Sequence, residues 1–323
     1  MDLGDTMRRR KRNRRKMLAI LILLILCGGF AWMIINAYNA IQYRKTYEYK
    51  LLEHGYSEND TGFLKKHFDE HRLDYLLEKN ADERIVLLLK DDYFIFDNLD
   101  RYLALWDDEK RELREIVAMV NANTDRDFYS DVESAFVDID NRYLILVNKF
   151  YQLPEDFKPD EKEAISSMYA YANRVIDASI YDEFKSMWHA ADQEDLTLIV
   201  QSAFRSFEAQ KNIHNSFLAS HGREATERFS ARAGHSEHQL GFALDITTPG
   251  YGLTQAFEET DEFKWLKENA HKFGFILRYP KDAEHITGYL YEPWHYRYVG
   301  EEVAAYIYQN SITFDEYYAY YLK

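Results

Sequence analysis

Two short segments, Ser236-Glu-His238-Gln-Leu-Gly241-Phe-Ala243-Leu-Asp245 and Glu292-Pro-Trp-His295, gather two histidines, an aspartate and a glutamate around small and turn-forming residues. Asp245 and Glu292 lie 47 positions apart, so a fold that uses them together must return the second segment to the first. Gly241 lets the chain turn so that a loop imidazole at His238 and a strand carboxylate at Asp245 face one point. His295 can complete the set from a neighbouring strand. Two imidazoles and one carboxylate leave the fourth tetrahedral position of a zinc ion (Zn2+) open, which suits catalysis and not a closed structural site. Glu292, three residues before His295, is expected to stay uncoordinated and to act as a general base. His235 stands in HxxH spacing with His238, but the intervening turn and the later Asp245 and His295 argue against a helical metal pair. Cys27 is the only cysteine, so thiolate ligands and internal disulfides are excluded for everything that follows it.

The sequence around these segments reads as an α+β domain, a small, mostly antiparallel sheet flanked by helices. Leu196 to Val200 is expected as a buried strand, and Ser206 is a good N-cap for the helix after it. Phe242 to Thr247 and Phe275 to Tyr279 read as strands, separated by a helix over Phe257 to Phe273 that Gly274 stops. A last strand is expected over Tyr289 to Tyr298, and Thr313-Phe-Asp-Glu316 caps a C-terminal helix. A helical stretch is expected from Glu163 to Ala191. Pro154 and Pro159 mark an extended loop near the start of this unit.

Upstream, 38–140 reads as short amphipathic helices, with His54-Gly55 as a stop and Ser57 to Asp60 as the next start. The chain therefore divides into a tip (1–16), an apolar run (17–37), a membrane-proximal helical region (38–140) and a domain carrying the metal-type constellation (141–323). The tip holds eight basic residues between Arg8 and Lys16, and the run Met17 to Ala37 contains no charge over 21 residues, the length a helix needs to cross hydrocarbon. The expectation is an uncleaved single-pass helix with the basic tip in the cytoplasm and the rest outside the membrane. A formal net charge of -15 makes nucleic acid an unsuitable partner, since the molecule repels polyanions. The 26 tyrosines and 20 phenylalanines are read as packing residues in half-buried positions.

The motifs resemble the VanY-type D-alanyl-D-alanine carboxypeptidases, zinc peptidases that trim peptidoglycan stem peptides. The pattern SxHxxGxAxD is met at Ser236, His238, Gly241, Ala243 and Asp245, and ITGYxxEPWHxRYVG runs from Ile286 to Gly300. An upstream element appears as Ser202-Ala-Phe-Arg205-Ser206 with Gln210. The resemblance covers about residues 140 to 310 and implies that His238, Asp245 and His295 bind zinc and that Glu292 is the base. It further implies that Arg205 stabilises the oxyanion on the scissile carbonyl, and that Ser236 and Gln210 hold the C-terminal part of the peptide. Phe204 stands where the family often has tyrosine, and Ala233 where it often has proline. The implied activity is hydrolysis of the terminal D-Ala-D-Ala amide, with L,D-cleavage, endopeptidase action or non-catalytic wall binding as the rival readings.

Overall fold

The computed structural model describes residues 3–108, 111–136, 141–171 and 173–322, and of these the side chains of 3–16, 18–22, 25–26 and 108 lie outside the description. The chain forms two compact units, Met1–Lys90 and Asp91–Lys323.

In the first unit a continuous helix, Leu3–Arg44, leads into four short ones at Tyr47–His54, Glu58–His67, Glu70–Glu78 and Glu83–Leu88. Their ends follow from local chemistry. Gly55 closes the first short helix in the left-handed conformation, and the Ser57 hydroxyl accepts the Asp60 N–H at the start of the next. Leu51, Leu64, Leu73, Leu76, Ile85 and Leu88, one or two to a helix, are buried. Val86 to Leu89 falls in the last helix and its C-cap. Among the described residues no helix is long and apolar enough to cross a membrane. The expected basic tip, and part of the expected span at 17–37, lie outside the described side chains.

The second unit begins with helices Leu99–Asp108 and Leu113–Asn121, which the sequence reading groups with the membrane-proximal region. They belong here because Leu113–Asn121 packs against Glu284–Thr287 and Phe314–Tyr321. Among the described residues eight strands follow: β1 (Glu133–Ser134), β2 (Tyr151–Gln152), β3 (Lys162–Ala164), β4 (Val175–Asp177), β5 (Ile199–Ser202), β6 (Ala243–Thr247), β7 (Phe275–Leu277) and β8 (His295–Tyr298). β1 and β2 pair in parallel, β3 and β4 antiparallel, and the principal sheet has the order β5-β6-β8-β7 with every pair antiparallel. The architecture is α+β, as its sequence pattern indicates.

Two expectations are corrected. The stretch from Glu163 to Ala191 is helical only over Tyr181–Asp192. Before it, Ile165 and Arg174 bond across the β3–β4 ribbon, Ala170 bridges to Val200, and Asp177 caps the turn at Ala178–Ile180, so tertiary pairing overrides helix propensity. The last strand covers only His295–Tyr298, because Pro293 has no N–H to give a ladder and Gly288 turns the chain at φ +73°.

The alternation of strands sorts the principal sheet into two chemistries. Leu244 and Ile246 on β6 and Tyr296 on β8 lie fully buried in one hydrophobic core with Val200, Phe242, Phe275 and Phe184. The intervening positions, Asp245 on β6 and His295 and Arg297 on β8, point to the opposite face. Because Asp245 pairs directly with His295 and also faces Ser202 on β5, the register alone places a carboxylate beside an imidazole.

Candidate metal centre

His238 comes from the 3-10 turn Glu237–Leu240, which Gly241 ends with φ +81°. A side chain at Gly241 would bring its Cβ to 2.7 Å from Pro159 Cγ and 3.1 Å from the Asp177 nitrogen, so the position needs glycine for both conformation and space. The turn is tied to the strands by the Arg205 N–H, which donates to the His238 carbonyl, and its Nδ1 lies 2.7 Å from the Ala203 carbonyl. With Nδ1 so engaged, Nε2 is the free ligand atom and lies 3.2 Å from Asp245 Oδ2.

His295 presents the opposite nitrogen. Its Nδ1 lies 3.1 Å from Asp245 Oδ1, while Nε2 faces the Glu237 carboxylate at 3.4 Å. The ligand atoms of His238, Asp245 and His295 all lie within 4.8 Å of one another, and all three residues are buried. Asp245 Oδ1 is buried without a hydrogen bond, an orphaned acceptor of the kind a cation would satisfy. The donor set therefore fits zinc: nitrogen and oxygen ligands, converging lone pairs, and a second partner fixing each imidazole.

The charges obey the same geometry. Burial works against the Asp245 carboxylate, yet the two imidazoles hold it well below the usual range. Burial also opposes charge on His295, but the carboxylates of Asp245 and Glu237 outweigh it and hold its pKa up at about 9. Glu292 lies outside the ligand cluster, with Oε2 3.7 Å from His295 Nδ1. Burial raises its pKa to about 8 against the pull of His295.

A cavity of about 380 Å³ opens beside these groups, lined by Arg205, Ser236 and Glu292 and walled by Ile213, Phe217, Phe229 and Trp294. Arg205 lies three residues beyond the end of β5. Its Nη1 donates to Gln210 Oε1 at 2.7 Å and its Nη2 to Ser202 Oγ at 2.8 Å, with Nη2 3.9 Å from Asp245 Oδ2. Gln210, on the helix Phe207–His221 that Ser206 caps, donates its amide to the Ala231 carbonyl. Both ends of its side chain are thus occupied, the oxygen on the guanidinium and the nitrogen on the backbone. All seven residues singled out in the sequence, His238, Asp245, His295, Glu292, Arg205, Ser236 and Gln210, line this one cavity. His235 is elsewhere, its Nδ1 2.8 Å from the Asn148 carbonyl and its ring edge-on to Tyr129.

Sequence reasoning passed over Glu237. It is completely buried, and its Oε1 accepts from Arg278 Nε at 2.7 Å and from Arg297 Nη1 at 3.0 Å. Arg278 in turn donates to Asp315 at 2.6 Å, and Arg297 to the carbonyls of Tyr143 and Ile145. Its only signal in the sequence is a place between Ser236 and His238.

Residues 173–301 match the family model described as VanY, D-alanyl-D-alanine carboxypeptidase. The putative carboxypeptidase YodJ of Bacillus subtilis is 39% identical over 181 residues, covering 54% of this chain and 66% of that protein. A D-alanyl-D-alanine carboxypeptidase of Enterococcus faecalis is 36% identical over 183 residues, covering 54% of this chain and 65% of that protein. The chain thus spans slightly less than two thirds of the length of these curated relatives. Among solved structures, the LdcB LD-carboxypeptidase, whose structure is described as revealing the molecular basis of peptidoglycan recognition, superimposes with a TM-score of 0.54 at 36% identity. That match covers 59% of this chain and 91% of the other.

Proposed function

Because this chain belongs to the VanY family of D-alanyl-D-alanine carboxypeptidases, we propose that it is a zinc-dependent D,D-carboxypeptidase that removes the terminal D-alanine from peptidoglycan stem peptides. The observation that carries the reading is the convergence of His238, Asp245 and His295 beside a half-buried Glu292 that is not one of the ligands. Zinc held by the three ligands would supply Lewis acidity at the scissile carbonyl. Glu292 takes the proton of the attacking water and returns it to the leaving amine nitrogen, a task suited to a carboxylate whose burial lifts its pKa toward neutrality. Arg205, oriented by Gln210 and Ser202, presents its guanidinium to the oxyanion. Ser236, on the cavity wall, supplies a hydroxyl for the terminal portion of the peptide, and Gln210 contributes through Arg205.

A second reading is L,D-cleavage of a tetrapeptide stem, favoured by the likeness to the LdcB LD-carboxypeptidase. The pocket beyond the metal decides between them. Incubating the protein with defined tetra- and pentapeptide stems, with and without a chelator, separates the two by product mass. Loss of one alanine from the pentapeptide, abolished by chelation and restored by zinc, is the expected result. Loss from the tetrapeptide alone would replace the first reading by the second, and chelator-resistant cleavage would remove zinc from both.

We also propose that the uncharged run at 17–37 anchors the chain in the bacterial cell membrane with the catalytic unit outside. Supporting this are the basic tip before the run and the exposed apolar side chains along the helix, among them Leu23, Leu24, Phe30, Trp32 and Ile35. The full chain should sediment with membranes, resist extraction by high salt and dissolve in detergent. Release by salt alone would refute the anchor.

A further inference from the structure

We propose that Glu237 is a positioning residue for the metal ligand His295, a role that rests on the zinc reading above. The argument begins with its two oxygens. Oε1 is held by two guanidinium groups, Arg278 Nε at 2.7 Å and Arg297 Nη1 at 3.0 Å, so the carboxylate has no freedom to rotate. That fixes Oε2, which faces His295 Nε2 at 3.4 Å. An imidazole that gives its Nε2 proton to a fixed carboxylate keeps the lone pair of Nδ1 for the metal and gains basicity there.

The construction is anchored from outside the sheet. Arg278 follows β7 and donates to Asp315, in the first turn of the helix Phe314–Tyr321, whose second oxygen accepts from Asn148 at 2.8 Å. Arg297 is on β8 and donates to backbone carbonyls before β2. The C-terminal helix, the 143–148 segment and the end of the sheet therefore meet at one buried carboxylate. The cluster holds two arginines and two acids, so it is neutral in sum, and Glu237 keeps its own negative charge without placing an uncompensated one in the core. Only one of its contacts leads to the ligand set, and that contact goes to the nitrogen not used for the metal.

The test measures zinc affinity by competition with a chromogenic chelator, for wild type, Glu237→Gln and Asp315→Asn. Wild-type binding establishes the zinc site itself; if that is absent, the reading of the site fails before the role of Glu237 is in question. Given it, Glu237→Gln should weaken zinc about 10- to 100-fold. Asp315→Asn, which loosens the same cluster from the far side, should lower the unfolding midpoint and leave zinc affinity within about threefold. Unchanged affinity in Glu237→Gln, or equal loss in both variants, would overturn the proposal. Should Glu237→Gln fail to fold, nitrogen-15 NMR of histidine-labelled wild type gives an independent answer. His295 should carry its proton on Nε2 in the zinc-loaded protein, and a metal-bound or deprotonated Nε2 would defeat the assignment.

Discussion

Glu292→Gln should lose turnover by a factor of about 10² to 10⁴ while the protein still binds zinc as wild type does. The separation is expected because Glu292 is not among the three residues whose ligand atoms converge. Its carboxylate lies 3.7 Å from His295 Nδ1, close enough to serve water at the site and placed so that its removal leaves the ligands intact. The amide keeps the size of the side chain but cannot take a proton. Burial lifts the carboxyl to about 8, His295 draws it down, and a bound cation draws it down further. A carboxylate in the proposed role of base acts only when deprotonated, so wild-type kcat/KM should rise with pH through the Glu292 pKa, and the residual rate of the variant should lack that limb. Product masses over time, with zinc content measured on the same samples, decide the matter. A variant as fast as wild type would refute the mechanism, and one that had lost its zinc would make Glu292 a ligand.

Which parts of this site are legible in the sequence depends on whether a residue's role is set by its neighbours along the chain or by distant ones. His238, Gly241 and Asp245 belong to one turn and strand, and Glu292 and His295 to one irregular strand entry, so spacing is informative for both. Joining them needs only the direct pairing of Asp245 with His295 on adjacent antiparallel strands. Glu237 is different. A glutamate beside a histidine reads as a solvated charge, since acids are rarely buried without partners. Its partners, Arg278 and Arg297, arrive from the residue after β7 and from β8, distant in the chain from Glu237. The stretch from Glu163 to Ala191 was similarly opaque: Ala, Met, Lys and Glu favour helix, and the β3–β4 ribbon is set by long-range bonds such as those linking Ala170 and Tyr169 to Val200. The helix at Leu113–Asn121 has an apolar face that could pack anywhere, and periodicity does not say which unit covers it.

The second large effect should fall on stability. Arg278→Met should lower the unfolding free energy by about 3–5 kcal/mol near neutral pH, because it removes one partner of a buried ionic cluster and leaves its acids behind. Arg278 is completely buried, gives Nε to Glu237 and Nη1 to Asp315, and lies over the rings of Tyr279 and Phe314. Methionine fills much of the volume but answers neither carboxylate. Glu237 retains Arg297, and Asp315 retains Asn148, so the loss should stop short of unfolding the domain outright. The pH dependence carries a definite sign. Burial favours the neutral form of Glu237, but Arg278 and Arg297 hold its carboxyl well below the usual range. A carboxylate depressed in this way contributes stability that is fully present above its unfolded pKa, about 4.3, and is lost as pH falls toward the folded value. The deficit of the variant should therefore be largest at neutral pH and narrow progressively below about pH 4, where protonation relieves the uncompensated charge. Urea unfolding of metal-free protein at several pH values measures it. A deficit that stays constant into the acid range would mean that lost packing, and not charge, accounts for the effect.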